Sequence, residues 1–335
     1  MAELRQNTWS LDQWYDQAVA GTTGGYESNM LSLYSWGYNT NGQLGVNNKT
    51  NYSSPVQVGS DTTWSFVGGG TEGSSIAIKN DGTLWTWSKA SYGATGHNNT
   101  TTYSSPKQVP GTWSEVAGQQ QGMTATKTDG TLWTWGQNSD GQLGQNEGSL
   151  FNTHRSSPVQ VGSDTDWNKP VDCRNKSGAA IKTDGTLWMW GDNSAGILGH
   201  NNQTDYSSPV QVPGTWATAV MGRDCSLASN TDGSLWVWGD NNQGQLGINN
   251  DDERSSPTQI PGTTWRTVFL GHKSTFATKT DGTLWSWGYG KRSNIGLLGH
   301  NSTTYYSSPV QIGSETDWHS NLGGSMFSTF GMRMN

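Results

Sequence analysis

Residues 128–146 read "TDGTLWTWGQNSDGQLGQN". An Asp-Gly pair leads into Leu132, Trp133, Thr134 and Trp135, and a glycine-rich loop follows. Asp-Gly between two short alternating runs is a hairpin signal, because these residues tolerate the backbone conformations that tight hairpin turns demand. The pattern recurs. Aligned on its second tryptophan it gives Trp36, Trp87, Trp135, Trp190, Trp238 and Trp287, spaced 51, 48, 55, 48 and 49 residues apart. A period near fifty marks stacked supersecondary units, each unable to bury its own apolar face alone.

A complete unit reads as a run such as "TATKT", the Asp-Gly turn, "LWTWG", a loop ending "GQLG", then "SSPVQV", a tight turn and "W..V". Alternating runs of four to six residues separated by Gly, Pro and Asn are strands. Four strands per unit and six units predict an all-β fold, a six-bladed β-propeller with four-stranded blades. The ends predict closure. "LSLYSWG" at 31–37 lacks an upstream hairpin partner, and "WHSNLGGSMFSTFGMRMN" at 318–335 matches "WSEVAGQQQGMTATKTDG" without the "LWTWG" that should follow. A C-terminal strand near 325–332 is therefore expected to pair with the strand near 31–37 in one composite blade. Within Leu-Trp-Thr-Trp the two tryptophans share a face. The six second tryptophans are expected to pack between blades, each burying on the order of 150–250 Å².

The ordered signals "DGTLWTWGQNSDGQLG…SSPVQV…W..V..G" resemble the regulator-of-chromosome-condensation repeat over about residues 31–335. Two features depart from that pattern. The best-known members have seven blades where six are counted here, and the usual "GG.HT.AL" segment survives only loosely, as "GHKSTFAT" at 271–278 with His272. The resemblance implies a binding platform, since its members include nucleotide exchange factors, a photoreceptor and β-lactamase inhibitor proteins. No functional residue is carried over from them.

Composition narrows the function. Only 13% of the 335 residues are charged, whereas there are 45 glycines and 19 tryptophans. The net charge is −7 and no Lys/Arg-rich run appears, so the phosphate-neutralising footprint of a nucleic-acid binder is missing. No window approaches eighteen apolar residues, and membrane insertion is not expected. Cys173 and Cys225 occupy different repeat offsets and read as free buried thiols. No catalytic, metal-ligating or cofactor-binding constellation stands out, and a non-enzyme without cofactor or metal is expected. For the enzyme alternative, Asp224 and Glu72 are the inward-facing acids available. His97, His200 and His300 share one repeat position and read as a structural choice.

Chain order places the Asp-Gly turn and the "PGT" or "GSDT" turn on one face of the ring, and the variable loops between "GxLG" and "SSP" on the other. Two loops break the pattern there. In the third unit eleven residues, "QNEGSLFNTHR", replace the usual seven and carry Phe151, His154 and Arg155. In the sixth unit eleven residues replace eight between Trp287 and Gly299, and carry Tyr289, Lys291 and Arg292. Aromatic residues beside arginine are the composition of an interaction anchor, so these six are candidate partner-binding residues.

Residues 1–30 carry no repeat. "SLDQWYDQAVAG" predicts a short N-terminal helix capped by Ser10, with Leu11, Trp14, Tyr15 and Ala18 on one apolar docking face, and "GTTGG" as a flexible joint. The opening also resembles predicted proteins of marine bacteriophages. An anchor helix, a joint and a charge-poor disc suggest a non-enzymatic virion surface protein, a fibre, tail-associated or capsid-decorating component. The helix would dock on another virion protein, the propeller would meet a host surface protein or glycan, and the chain could form a homo-oligomer on the particle. The alternatives are a soluble, cytoplasmic protein-binding module of inhibitor or exchange-factor type, and a lectin or carbohydrate-active protein.

Overall fold

In the computed structural model, which describes residues 31–69, 74–147, 153–271, 273–292, 295–324 and 329–333, the Asp-Gly signal organises each complete blade. Asp129 Oδ1 accepts hydrogen bonds from Thr131 N (3.0 Å) and Thr131 Oγ1 (2.6 Å), and Gly130 takes the positive φ between them, +79°. This clasp fixes the register of Gly122–Lys127 against Leu132–Gly136, with Met123 opposite Trp135 and Ala125 opposite Trp133. Asp81, Asp184, Asp232 and Asp281 repeat it.

Five four-stranded antiparallel sheets result, numbered here by their tryptophan: blade 2 at 64–109, blade 3 at 113–160, blade 4 at 167–212, blade 5 at 218–260 and blade 6 at 265–311. The first strands of neighbouring blades meet around a common axis. Blade 1 is composite. Tyr34–Gly37 pairs with Tyr52–Gln57 and packs on blade 2, while Trp318–Gly324 pairs with Thr329–Arg333 and packs on blade 6. The architecture is a six-bladed β-propeller. The two chain-end hairpins are the two halves of that blade, and among the described residues there is no ladder of the expected kind between Tyr34–Gly37 and Thr329–Arg333. The expected N-terminal helix lies outside the described residues.

Tryptophan holds the blades together. Trp87 Nε1 donates to Gln43 O (3.0 Å), Trp135 to Ala94 O (3.0 Å), Trp190 to Gln142 O (2.8 Å), Trp238 to Ile197 O (2.7 Å) and Trp287 to Gln245 O (3.0 Å), each acceptor lying in the preceding unit's loop. All five rings are buried, at no more than 2% exposure. The loop must come close to reach them. Gly247, at φ +69°, would place a Cβ 2.6 Å from Trp287 Nε1, so only glycine fits.

Trp36 corrects the expectation of six equal junctions. It is 61% exposed, with Leu31 and Tyr34 also open, instead of packing between blades. By repeat its acceptor would be Leu297 O of blade 6, yet the nearest atoms to a Cβ on Gly299 belong to Ile312, at 3.3 Å or more. The physical reason is its place in the chain: Trp36 stands on a strand that has no covalent link to the hairpin before it.

Candidate functional site

The loop face is built on a buried asparagine. Asn193 Oδ1 accepts from Leu198 N (2.9 Å), while its Nδ2 donates to Asn202 O and Thr204 O (both 3.0 Å), stapling two arms of one loop. Asn39 and Asn241 do the same. A side-chain amide can serve both a donor and acceptors, which a carboxylate or hydroxyl could not do here. Sequence reading missed this device, although its signal, Asn two residues after "WG", recurs in four of the six units.

The long loop of blade 3 departs from the pattern inside that frame. Asn138 N, whose counterparts on Asn39 and Asn193 donate to Asn51 Oδ1 and Asp205 Oδ1, donates instead to His154 Nδ1 (3.0 Å). His154 therefore does a structural task. Partial burial holds its pKa below the ordinary histidine value, which agrees with a neutral ring accepting at Nδ1. Its ring also meets Tyr92 of blade 2 at 4.5 Å between centroids. Arg155 forms an ion pair with Glu147 and donates to Thr153 O (3.2 Å). Phe151 lies outside the described residues.

In the sixth unit the extra residues form a small hairpin, Lys291–Arg292 against Ile295–Gly296. Lys291 is exposed and Tyr289 half-buried, with Tyr289 N donating to Lys273 O (2.8 Å). The two long loops belong to blades 3 and 6 and therefore to opposite sides of a six-bladed ring. The structure places them apart on the same loop face and does not bring them into one cluster.

The opposite face is uniform. The Asp-Gly glycine of one unit accepts from the tryptophan that opens the next: Trp113 N to Gly82 O (2.8 Å), Trp167 N to Gly130 O (3.0 Å), Trp216 N to Gly185 O (2.7 Å). The recurrent histidines are structural as well, His97, His200 and His300 packing edge-on against Tyr103, Tyr206 and Tyr306 at 5.2 Å. Near the axis, Arg174 of blade 4 reaches past blade 5 to donate to Leu270 O of blade 6 (2.9 Å) and lies 5.5 Å from the Phe269 ring. Sequence reading did not single it out, since no repeat shares it. Asp224 sits beside Arg223 at 3.7 Å, and Glu72 lies outside the described residues, as do Leu11, Trp14, Tyr15 and Ala18. Cys173 and Cys225 are buried free thiols, their pKa values raised by burial and neighbouring aspartates. No helix among the described residues is long and apolar enough to cross a membrane.

Among solved structures the fold is similar to human WBSCR16, at 19% identity and a TM-score of 0.75, covering 92% of this chain and 83% of that one. It is also similar to Prp20p from Saccharomyces cerevisiae, at 17% identity and a TM-score of 0.61, covering 92% and 94%. That protein was described with its binding properties to Gsp1p and histones. Yeast RCC1 (Prp20) bound to Kap60 is similar at 17% identity and a TM-score of 0.62, covering 92% of each chain. The family model for the regulator of chromosome condensation (RCC1) repeat matches residues 32–74, 129–173, 184–229 and 232–278, more than half of the sequence, and the chain belongs to that family.

Proposed function

We propose that this chain is a non-enzymatic protein-binding propeller, of inhibitor or exchange-factor type, whose partner is gripped on the loop face. The observation that supports this reading is the placement of both length exceptions on that one face, with Arg155 and Lys291 as cationic contacts and Tyr92, His154 and Tyr289 as aromatic ones. The similar yeast propeller is described with protein partners, Gsp1p, histones and Kap60, which adds to it. Affinity capture from producing cells tests the reading: Arg155→Ala or Lys291→Ala should weaken retention of a dedicated partner at least about tenfold, roughly the 1.4 kcal/mol of a modest hot spot. Unchanged retention by both variants would count against it. The virion reading draws on the charge-poor composition and on the sequence of residues 1–30. Its separate test is a density gradient, in which this chain should travel with nuclease-protected DNA.

A further inference from the structure

One blade lacks a part that the other complete blades share. In blades 2, 3, 4 and 6 a lysine ammonium lies over two edge-to-face tryptophans: Lys79 at 4.2 Å from Trp85, Lys127 at 3.6 Å from Trp133, Lys182 at 5.1 Å from Trp188 and Lys279 at 4.0 Å from Trp285. Blade 5 keeps the tryptophans, Trp216 and Trp236, at the same spacing (6.1 Å, 88°), but Asn230 stands where the lysine would be. Among the described residues no cation lies over these two indoles. Beside them a groove of about 510 Å³ runs between blades 4 and 5, lined by Trp216, Trp236, Asn230 and Pro257 among others, with no Asp, Glu, Lys or Arg in the lining. The matching groove between blades 5 and 6, about 400 Å³, has Lys279 in its wall.

We propose that the blade 5 groove receives a lysine side chain of a partner protein, which takes the place that Lys79, Lys127, Lys182 and Lys279 hold in the other blades. Three observations select an ammonium. The same ring pair accommodates one four times in this molecule, by attraction to the indole faces. Asn230 Oδ1 is buried without a hydrogen-bond partner among the described residues, and an ammonium supplies only donors. Asp81, Asp129, Asp184 and Asp281 are drawn toward the charged form chiefly by hydrogen bonds from the turn threonine, with their blade's lysine adding to it, whereas Asp232 has the matching bonds from Ser234 and no lysine. His200, also in the lining, has its pKa lowered by burial, so at neutral pH it adds no opposing charge.

This inference rests on the protein-binding reading for its partner, but its test needs none. Nα-acetyl-lysine amide, titrated against the intact chain with the indole N–H signals followed by NMR, should shift Trp216 and Trp236 saturably. The Nε-acetylated probe, which has lost its charge, should bind at least tenfold more weakly. Asn230→Lys, which restores the residue four other blades carry, should abolish the shift, and Asn230→Ala, which removes the accepting Oδ1 but leaves both rings, should keep it at weaker affinity. Absence of a saturable shift, equal response to the two probes, persistence in Asn230→Lys, or a shift produced by a neutral saccharide instead would each overturn the proposal, and the loop-face reading would stand regardless.

Discussion

The junction of blades 3 and 4 and the long loop of blade 3 lie in adjacent parts of one molecule and follow opposite rules. At the junction, Trp190 is fully buried, donates to Gln142 O and meets Gly144, and four other junctions copy it. In the loop, His154 and Arg155 occupy places that neighbouring units give to other residues, and no unit copies the combination. What the five junctions repeat holds the ring, and what differs is free to serve a partner. Substitution should separate the two classes cleanly.

The largest effect is expected at the tryptophans. Trp190→Ala should cost about 3–5 kcal/mol by cavity formation and loss of a buried hydrogen bond, read by denaturant unfolding. Trp36→Ala, at the same repeat position but exposed, should cost no more than about 1 kcal/mol. Equal costs would mean that the chain-end junction packs like the others in solution. Next is the loop staple: Asn193→Ala strands Leu198 N and should cost about 1–3 kcal/mol, with faster amide exchange confined to the 193–205 loop. Gly247→Ala follows, at about 1–3 kcal/mol, because its Cβ would press on Trp287 while φ stays positive. Gly299→Ala should cost less, since the nearest atoms to its Cβ are those of Ile312, at 3.3 Å or more.

A smaller, collective effect is expected with pH. Hydrogen bonds from Thr131 hold the Asp129 carboxyl below its ordinary value, and the same donors act on Asp81, Asp184 and Asp281, with Ser234 on Asp232. A folded-state pKa below the unfolded one stabilises the protein above the unfolded value, about 3.9 for aspartate, and that contribution is lost as pH falls through the folded value. Thermal midpoints should therefore hold steady down to about pH 5 and drop below about pH 4. Asp129→Asn should flatten that drop. Least of all, Arg155→Ala should leave stability within about 0.5 kcal/mol, as expected of a partly exposed ion pair.

Blade number, strand order and the Asp-Gly hairpins were legible because each signal is local and repeated five or six times: a turn residue announces a turn wherever it stands. Burial of five tryptophans followed from alternation along a strand. Trp36 was misjudged because its partner surface lies at the other end of the chain, and a repeat pattern cannot report whether two ends meet. His154 carried an aromatic-cation signature in the sequence, yet its main task is to accept from Asn138 N, which depends on a spatial equivalence with Asn51 and Asp205 across loops of different length. The Asn230 substitution was readable all along, as "ASNTDG" against "ATKTDG", but it acquires meaning only once lysine is seen lying on the tryptophans.

The division between scaffold and binding loops is tested most directly by exchanging one loop. Residues 145–155 would be replaced by the seven-residue loop of blade 4, 200–206, and capture of partners from producing cells would be quantified for the intact and exchanged chains at matched amounts of folded protein. The account predicts an unchanged unfolding midpoint together with at least about tenfold less of the captured partner. Equal capture by both chains would contradict it and assign recognition to the uniform parts of the ring.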